Sequence, residues 1–168
     1  MDKLSGSQTL QFKPVDFDRH EQLCLQFRKD AHLASYGSLA YFNEEEMLNW
    51  FRYLIQENPE GFKHVWLKGQ IIGQIEYKAI IEEANENNQA NSYSYINLFY
   101  LKPEYRNLGL GQQLHDFVVK QCQLAGSREI FLRYIPGNKQ AKAFYRKNGW
   151  LFSGEPDYRG QLMVLDLT

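Results

Sequence analysis

The stretch from Tyr93 to Gln112 constrains this chain more than any other. Tyr93 to Leu101 is rich in β-formers and almost free of charge, which suits a central strand. It stops at Lys102-Pro103-Glu104. Two glycines spaced by one residue, Gly109 and Gly111, then open a run with Leu110, Leu114, Phe117, Val118, Cys122 and Ala125 on one helical face. A strand, a turn and a glycine-opened helix form an anion site. The first N–H groups of a helix lack internal partners, and the helix dipole adds positive potential there. Glycine lets a phosphate approach the backbone closely. Arg106 adds a charged donor beside it.

The rest of the pattern surrounds this unit with alternating elements. Thr9 to Val15 reads as a first strand. Two helices follow, one carrying Leu23, Cys24, Phe27, Ala31 and Ala34, the other Met47, Trp50, Phe51, Leu54 and Ile55. Asp16 or Asp18 is placed to cap the first, and Asn43 with Glu46 the second. Phe62 to Lys68 and Gln70 to Ile81 read as a hairpin around Gly69. The polar segment from Glu82 to Ser92 reads as a solvated loop. After the central unit come a strand (Glu129 to Ile135), a short helix (Asn138 to Asn148) and two strands (Trp150 to Gly154, Gln161 to Leu167). The order β-α-α-β-β-β-α-β-α-β-β implies one mixed sheet with helices on its faces.

Composition excludes several classes. Lys plus Arg total 19 and Asp plus Glu total 20, so no basic excess points to nucleic acid. No apolar run is long enough for a membrane span, and the start shows no signal-peptide pattern. The two cysteines, Cys24 and Cys122, fit buried thiols of a cytoplasmic protein. The four histidines have no metal-ligand spacing, so no metal is expected. A chain of 168 residues fits one domain, expected over 8–168, with 1–7 a flexible N-terminus.

The glycine turn is not a dinucleotide fingerprint, because Leu114 stands where the third glycine belongs, and it lacks the Lys-Ser/Thr of a P-loop. An ATP or NAD domain is therefore disfavoured. The spacing that remains, Arg106-x-x-Gly109-x-Gly111, preceded by Leu101, Pro103 and Tyr105, resembles the pyrophosphate motif of the GNAT (Gcn5-related N-acetyltransferase) family. The downstream segment Asn138-Lys139-Gln140-Ala141-Lys142-Ala143-Phe144-Tyr145-Arg146-Lys147-Asn148-Gly149-Trp150 resembles a second motif of that family, in the expected order. The resemblance implies the single-domain α/β (α+β) acyl-CoA N-acyltransferase fold, a mixed and mostly antiparallel sheet of about seven strands flanked by about four helices.

It also implies a chemistry, an acyltransferase using acetyl-CoA as co-substrate. Coenzyme A contacts are expected from Phe99, Tyr100 and Leu101, from Arg106, Asn107, Leu108, Gly109, Leu110, Gly111 and Gln112, and from Asn138 and Tyr145. Pairing beyond the central strand is expected to splay open, so that a backbone N–H near Leu101 polarises the acyl carbonyl. Tyr145, a phenol of ordinary pKa near 10, is the expected general acid to the CoA thiolate in a direct transfer. Relatives place a glutamate on the central strand, but here that strand carries Asn97 and no acid. Glu76 is a weak candidate base; an outward-facing strand charge is an equally good reading of it.

The acceptor, a small-molecule or peptide amine, is expected between the first two helices and the last loop. Tyr36, Tyr41, Glu155 and Tyr158 are its candidate contacts. Aromatics with acids suit a cationic amine, whereas Arg159 instead suits a carboxylate. Composition leaves monomer and homodimer open. A non-catalytic acyl-CoA-binding or sensor module on the same fold is the alternative, supported by the missing acid.

Overall fold

The fold was obtained as a computed structural model and is described for residues 9–168. The expected flexible segment 1–7, and residue 8, lie outside the described residues. The elements are β1 (Gln11–Pro14), α1 (Phe17–Tyr36), α2 (Glu44–Glu57), β2 (Phe62–Leu67), β3 (Gln70–Ala84), β4 (Ala90–Leu101), α3 (Leu110–Leu124), β5 (Glu129–Tyr134), α4 (Lys139–Lys147), β6 (Leu151–Phe152) and β7 (Gln161–Asp166). The order matches the sequence reading. Single 3-10 turns lie at Pro59–Gly61, between α2 and β2, and at Pro103–Tyr105, between β4 and α3.

Local chemistry sets the helix starts. Asp16 accepts from the Arg19 N–H at 3.3 Å at the head of α1, and Asn43 accepts from the Glu46 N–H at 3.0 Å at the head of α2. Glu44, Glu45 and Glu46 follow in the first turn of α2, where negative charge complements the helix dipole. Asn138 caps α4 by accepting from the Ala141 N–H at 3.1 Å.

The seven strands form one sheet in the order β1-β2-β3-β4-β5-β7-β6. Every neighbouring pair is antiparallel except β4 with β5, which is parallel and joined through α3. The run from Tyr93 to Leu101 therefore lies in the middle strand, as its lack of charge implied. One expectation needs correction. Most of Glu82 to Ser92 is not loop: Glu82 pairs with Ser92, Glu83 with Asn91 and Ala84 with Ala90, so the hairpin turns only between Ala84 and Ala90. Backbone pairing extends the ladder through polar residues because their side chains stay in water on both faces.

The sheet separates two packed layers. On the α3 side, Val65, Ile72, Ile75, Tyr77, Ile96, Leu110, Leu114, Val118, Ile130, Leu132 and Trp150 form the main core. On the other side, Phe27 of α1 packs on Leu98 and Tyr100, and Cys24, Leu25, Phe51, Leu54 and Phe62 form a cluster where α1 and α2 meet β2. A β-bulge decides which β4 residue faces which layer. Glu76 pairs with Leu98 but Tyr77 pairs with Ile96, so Asn97 is the extra residue. Without it, Ile96 and Leu98 would point to one face. With it, Ile96 enters the α3 core and Leu98 the α1 core.

Candidate active site

The same place on β4 ends its pairing with β5. The parallel register runs from Ser94↔Ile130 to Ile96↔Leu132, and β4 continues to Leu101 without that neighbour. Lys102 donates its N–H to the Ile72 carbonyl at 2.8 Å. Antiparallel alternation then directs the amide groups of Leu101 and Phe99 away from β3, into the gap. Arg106 closes one of these positions, its Nε donating to the Leu101 carbonyl at 2.9 Å. Its guanidinium also lies over the Tyr100 ring, 5.6 Å from the centroid.

The gap is the middle of a cleft of about 720 Å³, a size suited to a cofactor-sized ligand. One end is lined by Arg106, Asn107, Gly111, Asn138, Ala141, Phe144 and Tyr145. The floor is Tyr95 to Leu101 facing Leu132 to Ile135. The other end is lined by Arg28, Ala31, His32, Ala34, Ser35 and Tyr36 of α1, by Phe42 and Met47, and by Arg159.

The phosphate end has the local geometry an anion needs. Asn107 (φ 60) and Gly109 (φ 82) both adopt left-handed backbone, which turns the chain abruptly into α3. Gly109 is the N-cap and has no side chain to satisfy the free N–H groups behind it. Gly111 has ordinary φ, and a Cβ built there meets no protein atom within 4 Å. Nothing in the protein demands glycine at that position, while the cleft in front of it is where a pyrophosphate would press against the backbone. The residues present therefore fit a coenzyme A pyrophosphate at this helix start and a pantetheine arm along the gap. Of the expected contacts, Phe99, Tyr100, Leu101, Arg106, Asn107, Gly111, Asn138 and Tyr145 line the cleft. Leu110 is buried beneath it, Leu108 points outward, and the Gln112 amide ties α3 to the end of α4 by donating to Asn148 Oδ1 at 2.6 Å.

Tyr145 lines the same end of the cleft as Asn138 and Phe144. Its ring packs between Tyr134 and Trp150, with centroids at 6.4 and 5.8 Å. Its carbonyl accepts the Trp150 N–H at 3.0 Å. Trp150 is in turn fixed by donating from Nε1 to His115 Nε2 at 2.9 Å, and the His115 Nδ1 side meets Asp116 at 3.0 Å. Burial alone pushes the Tyr145 phenol up to about 12. It therefore holds its proton throughout the neutral range, and among the described residues its hydroxyl has no hydrogen-bond partner.

Glu76 sits elsewhere than either sequence reading placed it. It is 0 % exposed and points toward α1 and α2, away from solvent. Arg28 grips both carboxylate oxygens, with Nε at 3.1 Å from Oε2 and Nη2 in close contact with Oε1. Trp50 Nε1 donates to Oε1 at 2.6 Å, and Gln74 Nε2 donates to Oε2 at 3.0 Å. The network continues inward. Gln74 Oε1 faces His64 Nε2 at 2.9 Å, and burial holds the His64 imidazole down at about 4, so it stays neutral. Glu76 does not line the cleft; its partner Arg28 does.

The acceptor candidates divide. Tyr36 lines the cleft, its ring tilted against that of His32 with centroids 4.5 Å apart. Tyr41 and Tyr158, at 94 % and 92 % exposure, project into solvent, and Glu155 lies outside the lining. The residues that sequence reasoning missed are Arg28, His32 and Ser35, together with Arg133 on β5. The first three follow helical spacing on α1, a polar stripe that only its neighbours in space reveal as a wall. Among the described residues, no group of three or more His, Cys, Asp or Glu is arranged to hold a metal, and no helix is long and apolar enough to cross a membrane.

Comparison with known proteins bears on the whole arrangement. The model of the acetyltransferase (GNAT) family matches residues 17–150. The spermine/spermidine N(1)-acetyltransferase of Bacillus subtilis (strain 168) is 26% identical over 105 residues, covering 61% of this chain and 68% of that protein. A GNAT-family acetyltransferase from Staphylococcus aureus Mu50 superposes with a TM-score of 0.70 at 16% identity, covering 95% of this chain and 100% of the other. The PaiA N-acetyltransferase of Thermoplasma acidophilum, solved in complex with coenzyme A, superposes at 0.66 with 20% identity, covering 94% and 99%. At these identities the solved structures establish a shared fold.

Two outcomes follow from the geometry. Glu76→Gln leaves Arg28 without its counter-charge, and chemical denaturation should show a loss of about 3 kcal/mol. Gly111→Val should keep Tm at or above the parent value, since valine is the better helix residue. Its acetyl-CoA affinity, measured by calorimetry, should fall about tenfold or more because the side chain enters the phosphate end.

Proposed function

The chain belongs to the acetyltransferase (GNAT) family and is an acyltransferase, and from that premise we propose that it transfers an acetyl group from acetyl-CoA to a primary amine by direct attack within a ternary complex. The observation that carries this reading is the continuity of one cleft. It runs from the glycine-opened start of α3, along the stretch of β4 that β5 does not pair, to the wall formed by α1, with Tyr145 in its lining. A phosphate-binding end, a bare strand edge and an acceptor end in line are what a two-substrate transfer needs.

A bound acetyl thioester supplies the acyl group. The protein supplies the rest. The amide groups of Phe99 and Leu101 face the gap, preorganised donors for a carbonyl oxygen that gains charge. Bond making and breaking balance: the C–N bond forms as the C–S bond breaks, the amine loses a proton and the departing sulfur gains one. Tyr145 holds a proton at neutral pH and offers an otherwise unpartnered hydroxyl to the sulfur.

We do not assign the base role to Glu76. Arg28, Trp50 and Gln74 already occupy its carboxylate oxygens, so accepting a proton would cost those bonds. His32 brings ring nitrogens able to accept a proton to the cleft lining, and the amine's proton leaves through it or through cleft water. The curated relative is named for spermine and spermidine, which makes a polyamine one acceptor class to test.

Acetyl-CoA at a hundred times its dissociation constant should stabilise the fold by about 2.7 kcal/mol, read as a rise in Tm. A flat thermal shift at millimolar acetyl-CoA would refute the reading. Tyr145→Phe should lower kcat by about a hundredfold or more with little change in acetyl-CoA affinity. Equal turnover in that variant would remove Tyr145 from proton transfer. Binding of acetyl-CoA with no amine acetylated would select a non-catalytic acyl-CoA-binding module instead.

A further inference from the structure

The acceptor half of the cleft carries guanidinium groups from three separate elements and no carboxylate among its lining residues. They are Arg28 of α1, Arg133 of β5 and Arg159 of the turn before β7. Their charges are not equally matched. Arg28 is neutralised by the buried carboxylate of Glu76. Arg133 and Arg159 share one carboxylate, that of Asp157. Arg133 Nη1 approaches its Oδ1 at 3.5 Å, while Arg159 Nη2 and Nε donate to Oδ2 at 2.9 and 3.3 Å. Hydrogen bonds from Arg159 hold the Asp157 carboxyl below the usual carboxylate range, so it is already ionised. Two cations thus meet one anion, and Asp157 itself stands outside the cleft lining. One positive charge is left over, and it faces the cleft.

The register fixes where that charge sits. Ile96↔Leu132 is the last pair between β4 and β5, so Arg133 is the first β5 residue beyond it, opposite the Asn97 bulge. Residues along a strand are spaced by about 3.3 Å, so the charge lies close to the point where the two ends of the cleft meet. Tyr95, also in the lining, places its hydroxyl beside Arg133. Arginine's fork of donors matches a carboxylate in both geometry and charge.

We propose that Arg133 and Arg159 form a subsite for a carboxylate of the acceptor, making the substrate an amine that carries a carboxylate within a few bonds of its nitrogen rather than a polycation. This rests on the N-acetyltransferase reading. A polyamine would bring several positive charges against a wall that presents an uncompensated positive charge and no lining carboxylate.

The test measures CoA release with matched acceptors, each amino acid beside the amine that lacks its carboxylate, with spermine as the polycation. The carboxylated member of each pair should show the higher kcat/KM, by about tenfold or more. Arg133→Gln should shrink that ratio by a similar factor, mainly through KM for the carboxylated acceptor. Arg159→Gln, a change at an exposed turn, provides the same readout if Arg133→Gln does not fold. Preference for spermine or for the carboxylate-free amines, or an equal loss for both members of each pair in the variants, overturns the subsite while leaving the acetyltransferase reading intact. If acetyl-CoA binds and no acceptor releases CoA, both fall together.

Discussion

The end of pairing between β4 and β5 is the constraint on which the rest of this molecule depends. Two parallel strands at the centre of a sheet normally satisfy each other's backbone groups along their length. Here they part after Ile96 and Leu132. The amides beyond that point face a cleft instead of a neighbour. The bulge at Asn97 changes which face each β4 side chain serves, so Leu98 and Tyr100 pack on α1 while Ile96 stays in the α3 core. The separation costs hydrogen bonds, but a ligand with amides of its own can restore them. A protein that leaves such an edge open in mid-sheet has built a place for an extended, polar chain.

Around this opening the protein keeps its charges under tight control. The carboxylate best placed by sequence to act as a base, Glu76, is enclosed by Arg28, Trp50 and Gln74. Burying it is tolerable because four donor contacts replace the lost water. Its role is then to hold Arg28 at the cleft wall. The next partner inward, His64, is kept neutral by burial, so it adds no second charge beside the Arg28–Glu76 pair near neutral pH. At the other side of the cleft the balance is deliberately uneven, with two guanidiniums on one carboxylate. That end therefore offers a positive field, and the other end offers a second through Arg106 and the start of α3.

Much of the fold was legible in the sequence. The element order, the cap at Asn43, the choice of Asp16 or Asp18 ahead of α1, and the central place of the uncharged strand all follow from local rules of periodicity and hydrogen bonding. The error at Glu82 to Ser92 has a simple cause. A polar composition reads as loop, yet two strands exposed on both faces need only backbone pairing to continue. The site was legible in proportion to how local it is. Arg106 to Gly111 and Asn138 to Tyr145 are contiguous motifs, and most of their expected contacts line the cleft. The cleft wall opposite was not legible, because Arg28, His32 and Arg133 are ordinary residues on ordinary elements until those elements meet. Tyr41 and Tyr158 were chosen for their chemistry and point the wrong way for reasons of loop geometry that sequence does not carry.

The sequence by itself thus determined the glycine-opened helix after a central strand, the presence of Tyr145 on the last helix, and the absence of an acid on that strand. Each is a statement about neighbours along the chain, where bond geometry and helix propensity suffice. Only the tertiary structure decided that Glu76 is a sealed partner of Arg28, and that Arg133 and Arg159 share Asp157 beside the opening. Burial and charge balance belong to groups far apart in sequence. Their energies depend on which surfaces are brought together and stripped of water, a quantity that does not exist until the sheet and its helices have packed.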